Sequence, residues 1–253
     1  MAARRAALVL LGICTLALPV VAAAQDAATT PPATTPGGVP RIPAAPTREG
    51  AWLARVQYGT TVWSEPTRDS RPLGKVSATT PWGGPAQLLV LDFRYVGTER
   101  WALVRLPGRP NSNEGWITDA HIKLIETAWR IEVSRARREL RVLKAGRLMR
   151  LVPVVVGAPG TPTPVGTFAI ADRLRQPNPN RFSGSWVLPL TAHSNVLRHF
   201  DGGDGQVALH GRGGASLRDP VGSARSHGCI RLSNASIAWI AARVPTGTPV
   251  VVR

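Results

Sequence analysis

The chain has 253 residues, 43% of them hydrophobic, with 31 Lys+Arg against 15 Asp+Glu and a net charge of +16. That length allows one or two domains, and that apolar content is enough for ordinary cores. Most of the positive excess falls within 128–253, a surface suited to anionic partners, but the first segment of the chain argues against nucleic acid as that partner.

Residues 1–24 read as a secretory signal, with Arg4 and Arg5 as the charged start, an apolar run from Ala6 to Val21, and Ala22-Ala23-Ala24 as the cleavage site. The run is about 16 residues, short of the roughly 20 that span a bilayer, so cleavage is expected and no stable membrane span remains after it. An exported basic chain suits anionic envelope polymers, in a periplasm or cell wall. Residues 25–50, rich in Pro, Thr and Ala, hold too little large apolar surface to offset the entropy of folding and read as a tether. From 51 to 127 short β-prone pieces alternate with turns, which predicts a small barrel or sandwich. The order "VWSEP", "PLGKV", "RWALVRLPG", "EGWITDAHI" resembles a bacterial SH3-like domain. Trp63, Trp82, Trp101 and Trp116 either pack this core or line a groove. From 128 to 253 strands continue through "WRIEVS", "RELRVLKAG", "RLMRLVPVVVG", "TPVGTFAIAD", "SWVLPLTA", "GQVALHG" and "TPVVVR", with "LKAGR" as a hairpin turn. A helix is predicted from Ser233 or Asn234 through "ASIAWIAARV", with Ile237, Ile240, Ala241 and Val244 facing inward.

The chemistry concentrates in "SARSHGCIRLSN", residues 223–234. Cys14 is expected to leave with the signal, so Cys229 would be a lone thiol without a disulfide partner, either a buried small hydrophobe or a reactive group. A thiolate attacks a carbonyl efficiently when a base or cation lowers its pKa and donors await the oxyanion. His227, two positions away, would share a strand face with Cys229, and Gly228 between them lets substrate approach the backbone. His210 ends a second strand, "QVALHG", nineteen positions earlier, and reaches the sulfur if the two strands are neighbours. Read as metal ligands, His210, His227 and Cys229 lack the usual paired spacing.

The run "HGRGGASLRDPVGSARSHGCIRL", with fifteen residues between His210 and Ser226, resembles the signature of the L,D-transpeptidase catalytic domain of the YkuD family. The segment "GTPTPVGTFAI" resembles that family's upstream Thr-Pro-x-Gly-x-Phe strand. The resemblance implies a β-sandwich with one or two short helices, preceded here by the SH3-like barrel, for a mainly β protein of four segments: 1–24, 25–50, 51–127 and 128–253. It implies Cys229 as nucleophile and His210 as general base. Ser226, His227 and Gly228 would shape the loop, and the N–H groups of Gly228 and Cys229 would meet the oxyanion. Gly211 stands where many relatives carry Ser or Thr, keeping the main-chain carbonyl that orients the base and losing the hydroxyl. Arg231 and His193 would border the substrate. The implied reaction attacks a peptidoglycan stem peptide, forms a thioester and passes it to an amine, with no metal or organic cofactor. Water as acceptor would make an L,D-carboxypeptidase. A wall cysteine endopeptidase would usually place the cysteine before the histidine, and a non-catalytic wall-binding protein would not need the intact His-Gly-Cys run.

Overall fold

The computed structural model describes residues 45–200 and 202–253, so the expected signal and most of the expected tether lie outside the described residues. The end of the tether segment is held: Thr47 N–H donates to the Gly50 carbonyl at 2.9 Å, and the Arg130 guanidinium donates to the Thr47 carbonyl at 3.0 Å. Among the described residues no helix is long and apolar enough to cross a membrane.

The first seven strands are β1 (Ala51–Val56), β2 (Thr60–Trp63), β3 (Pro72–Val76), β4 (Gln87–Val96), β5 (Glu99–Arg105), β6 (Glu114–Thr118) and β7 (Ile122–Thr127). They form one sheet in the order β3-β2-β6-β5-β4-β1-β7, antiparallel throughout. Alternation drives it: Ala54, Val56, Val62, Val90, Val104 and Ile117 turn inward to a common core. Trp101 and Trp116 are buried, whereas Trp82 is 44% exposed. Of the four tryptophans, these two pack as core aromatics do.

The second half contributes β8 (Trp129–Ser134), β9 (Glu139–Lys144), β10 (Arg147–Pro153), β11 (Val156–Gly157), β12 (Gly166–Ala169) and β13 (Leu174–Arg175). It continues with β14 (Trp186–His193), β15 (Gln206–His210), β16 (Ala224–Ser226), β17 (Ile230–Arg231), α1 (Asn234–Arg243) and β18 (Pro249–Val252). A five-stranded sheet, β10-β9-β8-β18-β12, faces a four-stranded sheet, β13-β14-β15-β17, and β11 pairs with β16. Both larger sheets feed one core that includes Ile131, Leu140, Phe168, Leu188, Leu209 and Val250, so this half is a β-sandwich. The predicted hairpin turn forms at Ala145 and Gly146, both at positive φ, as a two-residue turn between twisted strands requires.

The helix starts where Ser233 accepts the Ser236 N–H at 3.1 Å, so Ser233 is the cap and Asn234 is left for another task. Ile237, Ile240 and Val244 bury against the sandwich core.

Candidate active site

β15 and β17 are parallel neighbours, with Leu209 opposite Ile230 and His210 opposite Arg231. This pairing lays His210, the last residue of β15, beside the strand that Cys229 leads into. The pairing of adjacent strands that the sequence leaves conditional is therefore made.

The imidazole is oriented from its own chain. Its Nδ1 lies 2.7 Å from the Gly211 carbonyl, and a carbonyl can only accept, so the neutral ring carries its proton on Nδ1 and keeps a lone pair on Nε2. His210 is 4% exposed. Burial is the main cause that pushes its pKa down to about 4; Arg231 adds to the drop, and the backbone contacts of Gly211 and Ser183 oppose it. The ring is therefore a neutral base at ordinary pH.

Cys229 follows the same logic in the opposite chemical sense. Burial pushes its thiol up, against the Ala208 backbone and the Arg231 guanidinium, which pull it down. The residue as a whole keeps an intermediate exposure. The lowered thiol pKa expected from the sequence is not what these surroundings produce, because desolvation outweighs the nearby cation.

The loop before the sulfur is wired to the segment between β11 and β12. Ser226 is fully buried; its hydroxyl donates to the Cys229 carbonyl at 2.6 Å and accepts the Gly228 N–H at 3.1 Å. Thr163 accepts the Gly157 N–H at 2.9 Å and donates to the Gly228 carbonyl at 2.8 Å. Thr161 donates to the Ser226 carbonyl at 3.1 Å. Gly228 sits at φ +118, a conformation other residues rarely adopt. That bend breaks the strand geometry on which His227 and Cys229 would share a face, and His227 instead turns outward, its ring 4.7 Å from that of Phe200. With the Gly228 amide engaged, the Cys229 N–H is the donor that no acceptor takes among the described residues.

Arg231 is 3% exposed and ion-paired through its guanidinium to Asp219 at 2.5 Å. It lies 4.7 Å from the centre of the Phe182 ring, which in turn stands 6.1 Å from the His210 ring. Arg231 thus acts on both His210 and Cys229 by charge. His193 lies elsewhere. It pairs with Gln206 at the end of the β14–β15 ladder opposite to His210, is 2% exposed, and its Nε2 meets Asp204 at 2.9 Å. With Trp82, Arg105 and Thr191 it lines a cavity of about 740 Å³ that neither Cys229 nor His210 borders.

Gly211 has a steric reason as well as an electronic one. A Cβ there would come within 2.1 Å of Asn234 Oδ1. That oxygen accepts the N–H groups of Ser185 at 3.0 Å and Arg212 at 3.1 Å, while Asn234 Nδ2 donates to the Arg212 carbonyl at 3.0 Å. Asn234, Thr163, Phe182 and Asp219 escape sequence reasoning, because their roles depend on contacts between distant segments. Thr163 lies inside the "GTPTPVGTFAI" run, Asp219 inside the run from His210 to Leu232, and Asn234 at the end of "SARSHGCIRLSN", but none of these runs shows the contact each makes. Among the described residues no three His, Cys, Asp or Glu side chains converge as a metal site.

The family model described as L,D-transpeptidase catalytic domain, YkuD, matches residues 128–252. The YkuD protein of Bacillus licheniformis, which carries the name of an L,D-transpeptidase, is 33% identical over 175 residues, covering 66% of this chain and 93% of its own. Its Bacillus subtilis counterpart is 31% identical over 124 residues, 49% of this chain and 65% of its own. A solved L,D-transpeptidase from Mycobacterium tuberculosis H37Rv aligns over 61% of this chain and 90% of its own at 17% identity, with a TM-score of 0.42.

Proposed function

Because this chain belongs to the YkuD family of L,D-transpeptidases and is an L,D-transpeptidase enzyme of peptidoglycan, we propose that Cys229 is its nucleophile and His210 its proton carrier. The observation that carries this reading is the parallel pairing of β15 with β17, together with the Nδ1 bond that leaves Nε2 of His210 as a lone pair.

Both groups start uncharged, so proton transfer accompanies attack. His210 Nε2 takes the thiol proton as the sulfur bonds to the carbonyl carbon of the third stem residue. The oxyanion turns to the Cys229 N–H, with Gly228 N–H as a second donor when it leaves Ser226. His210 then gives its proton to the departing D-alanine amine, and a thioester remains. A side-chain amine of a neighbouring stem, losing its proton to His210, attacks the thioester, and the sulfur leaves and regains that proton. Imidazolium formed in a buried site at a pKa of about 4 is a strong acid, which suits protonation of a poor amine leaving group.

Residues 51–127 serve in this proposal as an SH3-like companion unit of the 128–253 catalytic domain, and 1–24 as the export signal ahead of the 25–50 tether, with action in the periplasm or cell wall. Arg231 supports the reacting pair by charge. His193, at the far end of β14, would act on substrate only through an extended acceptor or glycan strand.

The test is mass spectrometry of tetrapeptide-containing muropeptides incubated with residues 25–253. Crosslinked dimers with loss of D-alanine support transpeptidation; shortened tripeptides alone point to water as acceptor. Cys229→Ala should give neither product, and His210→Ala should slow acylation by about a hundredfold or more. Turnover by Cys229→Ala would end the thiol mechanism.

A further inference from the structure

We propose that Arg109 and Asn111, in the 107–113 segment of the first sheet unit, are positioning residues for the cysteine site, acting through the 194–205 segment and Phe200. The proposal rests on Cys229 being the nucleophile.

Between β14 and β15 the chain leaves the sandwich as a largely exposed excursion. Its base is closed by Ser194 N–H donating to the Gly205 carbonyl at 2.8 Å, and its tip by mutual bonds between Phe200 and Gly203 at 3.0 and 2.9 Å. At that tip the Phe200 ring stands 4.7 Å from the His227 ring, two residues before Cys229. None of the described residues of this excursion belongs to an apolar core, and Val196, His199 and Phe200 are exposed, so something else must hold it.

Side chains from the first unit supply the hold. The Arg109 fork donates to the carbonyls of Asp204 at 2.8 Å, Ser194 at 3.0 Å and Leu197 at 2.9 Å, tying both legs and the bend with one rigid group. Asn111 behaves like a neighbouring strand: Oδ1 accepts the His193 N–H at 2.7 Å, and Nδ2 donates to the His193 carbonyl at 2.7 Å and to Asn195 Oδ1 at 2.8 Å. The fit is tight enough that a Cβ on Gly205, which sits at φ +79, would lie 2.2 Å from the Leu197 carbonyl and 3.1 Å from the Arg109 guanidinium.

A line of direct contacts therefore runs from the first unit, through the excursion, to the aromatic pair of Phe200 and His227, two residues before Cys229. A long stem peptide must be placed against that pair to react, whereas a small alkylating reagent need not. This gives the 51–127 unit a part in catalysis that does not depend on its own ligand.

The experiment is single-turnover acylation of Cys229 by a tetrapeptide stem substrate, followed by intact mass, beside alkylation by iodoacetamide. Arg109→Ala should lower the ratio of limiting rate to half-saturating concentration by about tenfold, with alkylation unchanged. Phe200→Ala should cause a similar loss. If Arg109 works through Phe200, the double variant should be no worse than either single one. Arg109→Lys should not rescue, since one ammonium cannot span three carbonyls. Asn111→Asp, isosteric and lacking the two donors, should show the same selective loss with faster hydrogen exchange across 196–204, and decides the matter if Arg109→Ala folds poorly. Full acylation by Arg109→Ala and Asn111→Asp, additive losses with Phe200→Ala, or alkylation falling in step with acylation would overturn the proposal. If the unsubstituted protein is alkylated but never acylated at Cys229, the nucleophile assignment has failed instead.

Discussion

Burial keeps the His210 imidazole neutral and pushes the Cys229 thiol up, and Arg231 is the one charged group that acts on both. A cation beside an imidazole disfavours its protonation, while beside a thiol it favours the thiolate, so one guanidinium lowers both pKa values. Removing it in Arg231→Met should therefore raise the His210 titration from about 4 towards its ordinary value and push the Cys229 thiol further up. Ring-proton NMR for His210 and the pH profile of iodoacetamide alkylation for Cys229 read the two shifts separately; a thiol that titrates lower in Arg231→Met would contradict this account. Gly211 makes a second point at this scale. Gly211→Ala drives a methyl into Asn234 Oδ1 and displaces the carbonyl that holds His210 Nδ1, so acylation should fall by about a hundredfold, as for loss of the base. Asn234→Ala in the same chain opens the room the methyl needs and should restore part of the rate, which single-turnover kinetics would detect.

Between elements, the loop that carries the sulfur depends on one threonine with two obligations. Thr163→Val keeps the shape of the residue but leaves the Gly157 N–H and the Gly228 carbonyl unpaired in a buried place, at a cost of about 1–3 kcal/mol. Urea denaturation measures that cost, and a loss within error would mean that the loop holds itself. This threonine also shows where sequence reading stops. The strands of both halves, the Ala145-Gly146 turn and the helix start at Ser233 or Asn234 were legible, because alternation and capping are local patterns of chemistry. The pairing of His210 with the Cys229 strand was legible only through the family resemblance. The outward turn of His227 was not, since it follows from the positive φ of Gly228. Nor was the far placement of His193, which depends on how many ladder pairs separate it from His210 along β14. Arg109 gave no signal at all, one arginine among many until the chain folds back on itself.

For the molecule as a whole, the buried neutral histidine is a link between acidity and stability. Unfolded, His210 takes up a proton near its ordinary value of about 6.5, but in the fold only near about 4. Between those values the unfolded chain binds more protons, so stability is intact above the upper one and declines as pH falls towards the lower, by roughly 3 kcal/mol from this group. Urea midpoints at pH 7 and pH 4.5 should differ by less in His210→Gln than in the unsubstituted protein, and equal differences would assign the acid sensitivity to other groups. The place of β18 has a further consequence. It runs parallel to β8 on one side and antiparallel to β12 on the other, so residues at 249–252 complete a sheet begun at 129. The meander of β8, β9 and β10 can pair locally, but β12 has no seat until residues 249–252 are in place. During that interval Cys229 belongs to an open chain, neither desolvated nor walled, and its thiol ionises as a free one does. The hazard of oxidation is then greatest before the fold closes, and the rate at which the final strand docks sets how long the sulfur is exposed to it.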